Sequence, residues 1–564
     1  MKICLPLPFF LFVLLTAVQL SAQSFSPQSI QKTIIYLASD ELQGRKSGTT
    51  GDSLAACYIR DQFRDAGAQL LGNEGIQYFN IVADITSGKF NLFSVSDKPY
   101  LPEKDFIPLS FSSNDSLSAS VIFAGFGIVG NSGELAWDDY NRKDVRNKWV
   151  MVLRGDPEPE NTNSAFIPMS TERAKALTAR DRGAGGLLIV SPSAFEKQDK
   201  PLAITFDKTV SDAGIPVISI TRKLAAEILQ MPVSAIDSIE KLMTSSKKQP
   251  DILIEKIVNA RTDVVRNKVT TRNIIALLTG NNKTLSDEYI VIGAHYDHLG
   301  LGGQGSGSRV PGEQAVHGGA DDNASGVAAL IELVNYFSKP ENRPARSLLF
   351  VSFGSEEMGI LGSKYFVAHA PVDLKKIRAM VNLDMVGRLN PESNALSISG
   401  TGTFLQADSL LGVLAKNTKL DIKKSPDGYG PSDHASFYGE GIPVLFLTTG
   451  AHDDYHTPSD VASHINYEGE AEVLGLTSRL IASLADLVPA PVFKESGSRR
   501  ESGNSGRNLK VTLGIMPDVS GAETSGGMKV EGTRIDGPAQ KAGMVKVILL
   551  RPLTECRFLT FTIT

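Results

Sequence analysis

A chain of 564 residues is too long for one ordinary domain, and its length points to roughly three or four. Hydrophobic residues at 42% and charged residues at 21% give a globular composition and exclude a disordered or fibrous chain. The net charge of -5 leaves no basic excess for nucleic acid, and three cysteines are too few for a disulfide framework.

At the N-terminus, Lys2 precedes an apolar stretch from Leu5 to Leu20, and Ser21, Ala22 and Gln23 follow. A basic start, an apolar stretch and a small residue at the cleavage point read as a secretory signal over 1–22. The stretch is shorter than the ~20 residues that span a bilayer. The expected mature protein is therefore secreted or periplasmic, with no membrane span. Residues 27 to 70 read as helical, most clearly where Leu54, Ala55, Tyr58, Ile59 and Phe63 form an apolar stripe that Gly67 ends. From 72 the texture turns to strands, with apolar runs at 119–124, 148–153, 185–190 and 216–220 and a helix at 171–182, which predicts an α+β unit of its own.

From 273 onward apolar runs alternate with helical stripes: runs at 273–278, 289–293, 347–353, 379–383 and 443–448, and helices at 325–337, 361–368, 404–416 and 468–487. That alternation predicts an α/β, doubly wound and largely parallel central sheet. Residues 493–508, rich in Ser and Gly, read as a linker.

Polar residues gather where these strands end. His295, Asp297 and His298 follow one run, Glu356 and Glu357 a second, Asp384 a third, and His452, Tyr455 and His456 a fourth. Between the first two, Gly319 to Gly326 (GADDNASG) opens a helix. In open α/β sheets the carboxyl ends of the strands form the ligand crevice, so distant segments can deliver His, Asp and Glu to one place. Imidazole and carboxylate without thiolate suit zinc. Carboxylates converging without a cation raise one another's pKa, and two divalent ions ~3.5–4 Å apart, sharing a carboxylate, would relieve that and activate water at neutral pH.

The motifs AHYDH, GADDNASG, SFGSEEMGILGS, NLDM, GYGPSDHASF and DYHTPSD, in this order, resemble the M28 zinc peptidases, a family of leucyl aminopeptidases and glutamate carboxypeptidase, over residues 34 to 490. The resemblance implies two zinc ions: His295 and Asp384 on one, Glu357 and His456 on the other, and Asp322 as the bridge, with a cis peptide at Asp322-Asn323. It implies Glu356 as the general base, Asp297 as the carboxylate that orients His295, and Tyr429 as the donor to the oxyanion, with Tyr455 as its rival. Asp321, His298, His434 and His452 read as supporting residues rather than ligands. The implied activity is that of an exported di-zinc metallopeptidase acting on peptide substrates, an aminopeptidase first. Alternatives are a carboxypeptidase or a glutaminyl cyclase on the same fold, or a binding protein without catalysis. The run from Gly300 to Gly305 fits GxGxxG, but no apolar helical pattern follows it; a flexible loop over the site is expected instead of a nucleotide site.

Two flanking stretches carry further resemblances. Trp137 to Tyr140, Val152 to Pro157 and Arg182 to Gly186 resemble a protease-associated (PA) domain, placed as an insertion at 98–248 within a discontinuous peptidase domain at 23–97 and 249–490. Residues 509–544, with Leu513 to Met516 and Gly532 to Met544, resemble the first half of a PDZ domain. The pattern then departs, so the segment to 564 is expected to be a partial, truncated or frameshifted PDZ-like module after a linker at 491–508.

Overall fold

The computed structural model describes residues 25–497, apart from 131–136, 162–163 and 207–210, together with four strands further on. The proposed signal at 1–22 and the linker beyond 497 lie outside the described residues. Helix α1 (Pro27–Leu37) starts at Ser26, whose hydroxyl accepts from Ser29 N, and its buried Ile30, Ile34 and Leu37 recur at helical spacing. Helix α2 (Thr50–Asp65) starts at Thr49 in the same way and buries Ala55, Ala56, Ile59 and Phe63. Strand β1 (Ile76–Ser87) pairs antiparallel with β2 (Val264–Leu278), from Ile76 opposite Ile274 to Ser87 opposite Val264.

The central sheet has nine strands. Its middle is β4 (Ser347–Phe353), β3 (Tyr289–His295), β5 (Ile377–Leu383) and β8 (Val444–Thr448), in that spatial order and all parallel. The predicted largely parallel sheet is corrected at the flanks: β2 joins β4 antiparallel, and β6 (Ala395–Ser399) joins β8 antiparallel before pairing parallel with β7 (Asp421–Lys424). At the first flank, β2 enters the sheet as the returning arm of the β1–β2 ribbon rather than through a crossover helix. A chain that leaves along β1 and returns beside it along β2 must run antiparallel.

Helices cover both faces. Helix α3 (Gly326–Ser338) and α6 (Tyr467–Asp486) join α1 and α2 over one face around Ile290, Ile292, Phe350 and Val381. Helix α4 (Leu361–Ala368) and α5 (His434–Gly439) cover the other around Val291, Val351, Phe353 and Met380. The chain goes from β3 to β4 on one side through α3, then crosses back through α4 to β5 on the other. That reversal opens a crevice beyond the carboxyl end of β3.

A second sheet of eight strands carries its own hydrophobic cores. Its centre, Ser116–Phe123, Trp149–Leu153, Gly186–Val190 and Val217–Ile220, is parallel, with helix Glu172–Asp181 as one crossover. The predicted α+β unit is therefore built on parallel strands, because long crossovers, one of them helical, rather than hairpins join them. The sheet also takes in Leu92–Val95 and Ile257–Arg261, beyond both ends of the predicted 98–248 insertion. Of the predicted PDZ-like segment, strands Ile515–Pro517, Met528–Thr533, Ile548–Pro552 and Phe561–Thr562 form a four-stranded sheet. Among the described residues no helix is long and apolar enough to cross a membrane.

Candidate metal centre

Parallel register brings the crevice together. His295 ends β3 opposite Phe353 at the end of β4, and Leu383 at the end of β5 lies opposite Leu447 in β8. Glu356 and Glu357, Asp384, and the segment carrying Tyr455 and His456 leave those strand ends in the same direction. The structure gathers all five predicted ligands. His295 Nε2 lies 3.3 Å from Asp322 Oδ1 and 3.4 Å from Asp384 Oδ1. His456 Nε2 lies 3.1 Å from Asp322 Oδ2 and 3.3 Å from Glu357 Oε1. The two oxygens of Asp322 thus face different imidazoles.

Electrostatics show how crowded the acids are. Burial lowers the His295 pKa, but Asp384, Glu356 and Asp322 outweigh it and hold the imidazole well above its usual value. His456 is likewise raised against its burial by Glu357 and Asp322. Asp322 is pushed well below the usual carboxylate range despite burial, by His295, His298 and His456. Burial opposes the same fall at Glu357, which His456 and His298 hold at about 2. Glu356 differs: burial, reinforced by Glu357, Asp433 and Asp384 and opposed by His295, drives its pKa well up. Imidazoles and carboxylates interleaved at these distances suit a divalent cation's oxygen and nitrogen donors.

Asp297 serves the site differently from the expectation. The His295 Nδ1 contact is to its main-chain carbonyl at 3.2 Å, while its carboxylate is 3.8 Å away. That carboxylate instead accepts Glu356 N at 2.9 Å and Ser47 Oγ at 3.1 Å, with burial lifting its pKa to about 7. Of the two tyrosines, Tyr455 stacks on His456 at 3.8 Å, and burial followed by Asp322, Glu357, Glu356 and Asp384 raises its phenol pKa well above the usual value. Tyr429 packs edge-on to Tyr438, 4.5 Å away, beside the α4–α5 cluster.

The segment before α3 is stitched to the segment after β5. Asn323 Nδ2 donates to Leu383 O, and its Oδ1 accepts from Met385 N and Gly326 N. Ser325 Oγ accepts Val386 N, and Asp321 Oδ1 accepts Gly387 N at 2.7 Å. These bonds fix Asp322 relative to Asp384, across the cis peptide at Asp322-Asn323. His452 Nε2 lies 3.2 Å from Asp321 Oδ2, so both predicted supporting residues act together beneath the site. His434 stacks on Phe446 at 4.5 Å as a buried ring, and burial drops its pKa to about 3.

Two residues escape sequence reasoning. Asp460 accepts the main-chain N–H groups of Asp321 and Asp322 at 3.1 Å and so holds the bridging segment. Arg45 is fully buried, and its guanidinium donates to the carbonyls of Leu37, Tyr296, Gly318 and Gly319, clamping the loops on either side of the crevice. Asp460 sits in the quoted motif DYHTPSD, which was a usable signal; nothing local marks Arg45. The glycine-rich loop after β3 reaches the centre as expected, where Gly307 O lies 3.1 Å from His456 Nδ1 and Arg309 donates to Asp453 O.

A parallel-centred α/β sheet with His, Asp and Glu converging at its strand ends forms a site suited to divalent metal. Residues 273–481 match Peptidase family M28. An aminopeptidase of Pseudomonas aeruginosa is 26% identical over 428 residues, 72% of this chain and 67% of its own length. Aminopeptidase YwaD of Bacillus subtilis is 24% identical over 362 residues, 62% of this chain and 63% of its own. In fold, the chain is similar to an aminopeptidase from Aneurinibacillus sp. strain AM-1, with a TM-score of 0.50 and 22% identity over 84% of this chain and 96% of that one. Residues 273–481 are thus similar to the M28 peptidases, and the chain is a metallopeptidase.

Proposed function

We propose that the chain is an exported two-zinc aminopeptidase that removes residues from the N-termini of peptides. The observation that carries the two-metal reading is the divided carboxylate of Asp322, with His295 and Asp384 gathered at one oxygen and His456 and Glu357 at the other. His295 and Asp384 would hold one ion, Glu357 and His456 the second, and Asp322 both. Zinc held there supplies Lewis-acid polarisation of a peptide carbonyl and acidifies water.

The remaining chemistry belongs to the chain. Glu356 takes a proton from the attacking water and returns it to the leaving amine. Burial, then Glu357, Asp433 and Asp384, favour its protonated form, the form it reaches once it has taken the proton from water. Asp297 fixes the base by accepting Glu356 N–H at 2.9 Å. Tyr455 keeps its phenolic proton at neutral pH and is placed against the acids to donate to a developing oxyanion. The aminopeptidase reading rests on the relatives from Pseudomonas aeruginosa and Bacillus subtilis, both named aminopeptidases. Export rests on the leader pattern of residues 1–22.

The test is hydrolysis of one peptide in unblocked and N-acetylated forms, with products read by mass. Stepwise loss from the free N-terminus and none from the acetylated form is expected; loss from the C-terminus overturns the end preference. Glu356→Gln should keep the zinc content and lower kcat by about 10²–10⁴-fold. Cleavage at the wild-type rate would overturn the assignment of the base.

A further inference from the structure

His298 stands three residues beyond His295 and was expected only to support the site. It is buried at 1% exposure, and neither ring nitrogen makes an aligned hydrogen bond. An imidazole so placed is costly to bury unless something else engages it. Its Nδ1 lies 2.8 Å from Glu357 Oε1 and 3.7 Å from Asp322 Oδ2, and its ring meets that of His456 edge-on at 5.7 Å. The backbone is shaped around the ring: Gly319 adopts φ +56, and a Cβ there would lie 2.6 Å from the His298 ring.

His298 Nδ1, Asp322 Oδ2 and Glu357 Oε1 form one set of mutually close donors, and His456 Nε2 lies 3.1 and 3.3 Å from the same two oxygens. The four nitrogen-to-oxygen separations are 2.8, 3.7, 3.1 and 3.3 Å. Donors ~2.0–2.1 Å from a tetrahedral zinc lie about 3.3 Å apart, which matches this spread. The other set, His295 Nε2, Asp322 Oδ1 and Asp384 Oδ1, has three members. Structural zinc sites fill four positions with protein donors, whereas catalytic sites keep one open.

We infer that His298 is a sixth protein ligand, closing the Glu357–His456 zinc site as a four-donor site and leaving the His295–Asp384 site as the open one. This rests on the two-zinc reading above. The two sites then differ in kind. The closed site holds its ion more tightly, and the open site is where substrate and water bind.

Zinc-edge X-ray absorption on the wild-type protein loaded with two zinc ions counts imidazoles directly. The inference expects three per pair of ions, from His295, His298 and His456; two per pair overturns it. Zinc titration of the chelator-stripped chain gives a second readout. His298→Ala should weaken the tighter of the two binding events by at least 10–100-fold, the range that even loss of an outer-shell partner reaches. With cobalt in place of zinc, its visible absorption should lose the intensity of a four-coordinate site. Unchanged affinity and spectrum in His298→Ala also overturn the inference. If the wild-type chain binds no second ion, the two-zinc reading fails instead, so the two failures are distinguishable.

Discussion

At the scale of single residues, the five candidate ligands stood out because four are strong donor types that follow an apolar run and Asp322 opens a helix between two of those runs. Their convergence needs only that the runs be parallel strands. His298 was not legible as more than a supporting residue, because its position after the strand depends on how the chain turns at 296–300 beneath Gly319. Arg45 was hidden for a similar reason. Its partners are main-chain carbonyls from three separate segments, and carbonyls leave no trace in a sequence. Of the two tyrosines, Tyr455 stacks on His456 at 3.8 Å whereas Tyr429 packs on Tyr438, which favours Tyr455 as the proposed oxyanion donor. Tyr455→Phe should lower kcat by about 10²–10³-fold with KM little changed, the usual loss for one oxyanion donor. Tyr429→Phe should keep kcat within a few-fold, and the reverse order of effects in steady-state kinetics would restore Tyr429 to the role.

At the scale of elements, the helices and inner strands stand close to where periodicity placed them, since caps such as Thr49 and Asn466 and the apolar stripes agree locally. Strand direction was the weaker reading. Periodicity says that a run is buried, not which way it lies, so the antiparallel flanks at β2 and β6 and the parallel centre of the second sheet emerged only from the connections. Helix α5 carries a pH dependence of its own. His434 has a folded pKa near 3 against an ordinary 6.5, set by burial against Phe446. Between those values the unfolded chain binds a proton that the folded chain refuses, so stability is complete above about pH 6.5 and falls as the pH drops toward 3. Urea midpoints measured from pH 7 to pH 4 should fall less steeply for His434→Phe than for wild type. Parallel curves for the two proteins would show that His434 carries no such load.

At the scale of the molecule, two α/β units hang on one antiparallel ribbon. The unit boundary was legible only roughly, because the strands that close the second sheet at 92–95 and 257–261 flank the predicted insertion and look like ordinary β texture. The ribbon makes a clean excision possible: Ser87 and Val264 are cross-strand partners, so residues 88–263 can be replaced by an Asn-Gly turn. The ribbon meets the second unit through Ile204 and Phe206, which pack on Val82, Ile85 and Val264, and through Asn114 and Ser112, which bond Val264 and Arg266. The shortened chain should fold cooperatively and cleave an aminoacyl anilide at a rate close to wild type. A chain that is insoluble or inactive on that small substrate would mean that the second unit completes the peptidase rather than accompanying it.

The central claim is that Asp322 stands between two cations. Zinc content per chain, measured by mass spectrometry after exhaustive dialysis of wild type and Asp322→Ala, tests it most directly. The account predicts two zinc ions per wild-type chain and weakened binding at both positions in the variant, so that fewer than two ions survive dialysis, with the fold retained by circular dichroism. A wild-type chain holding a single ion, or a variant that keeps both, would contradict it.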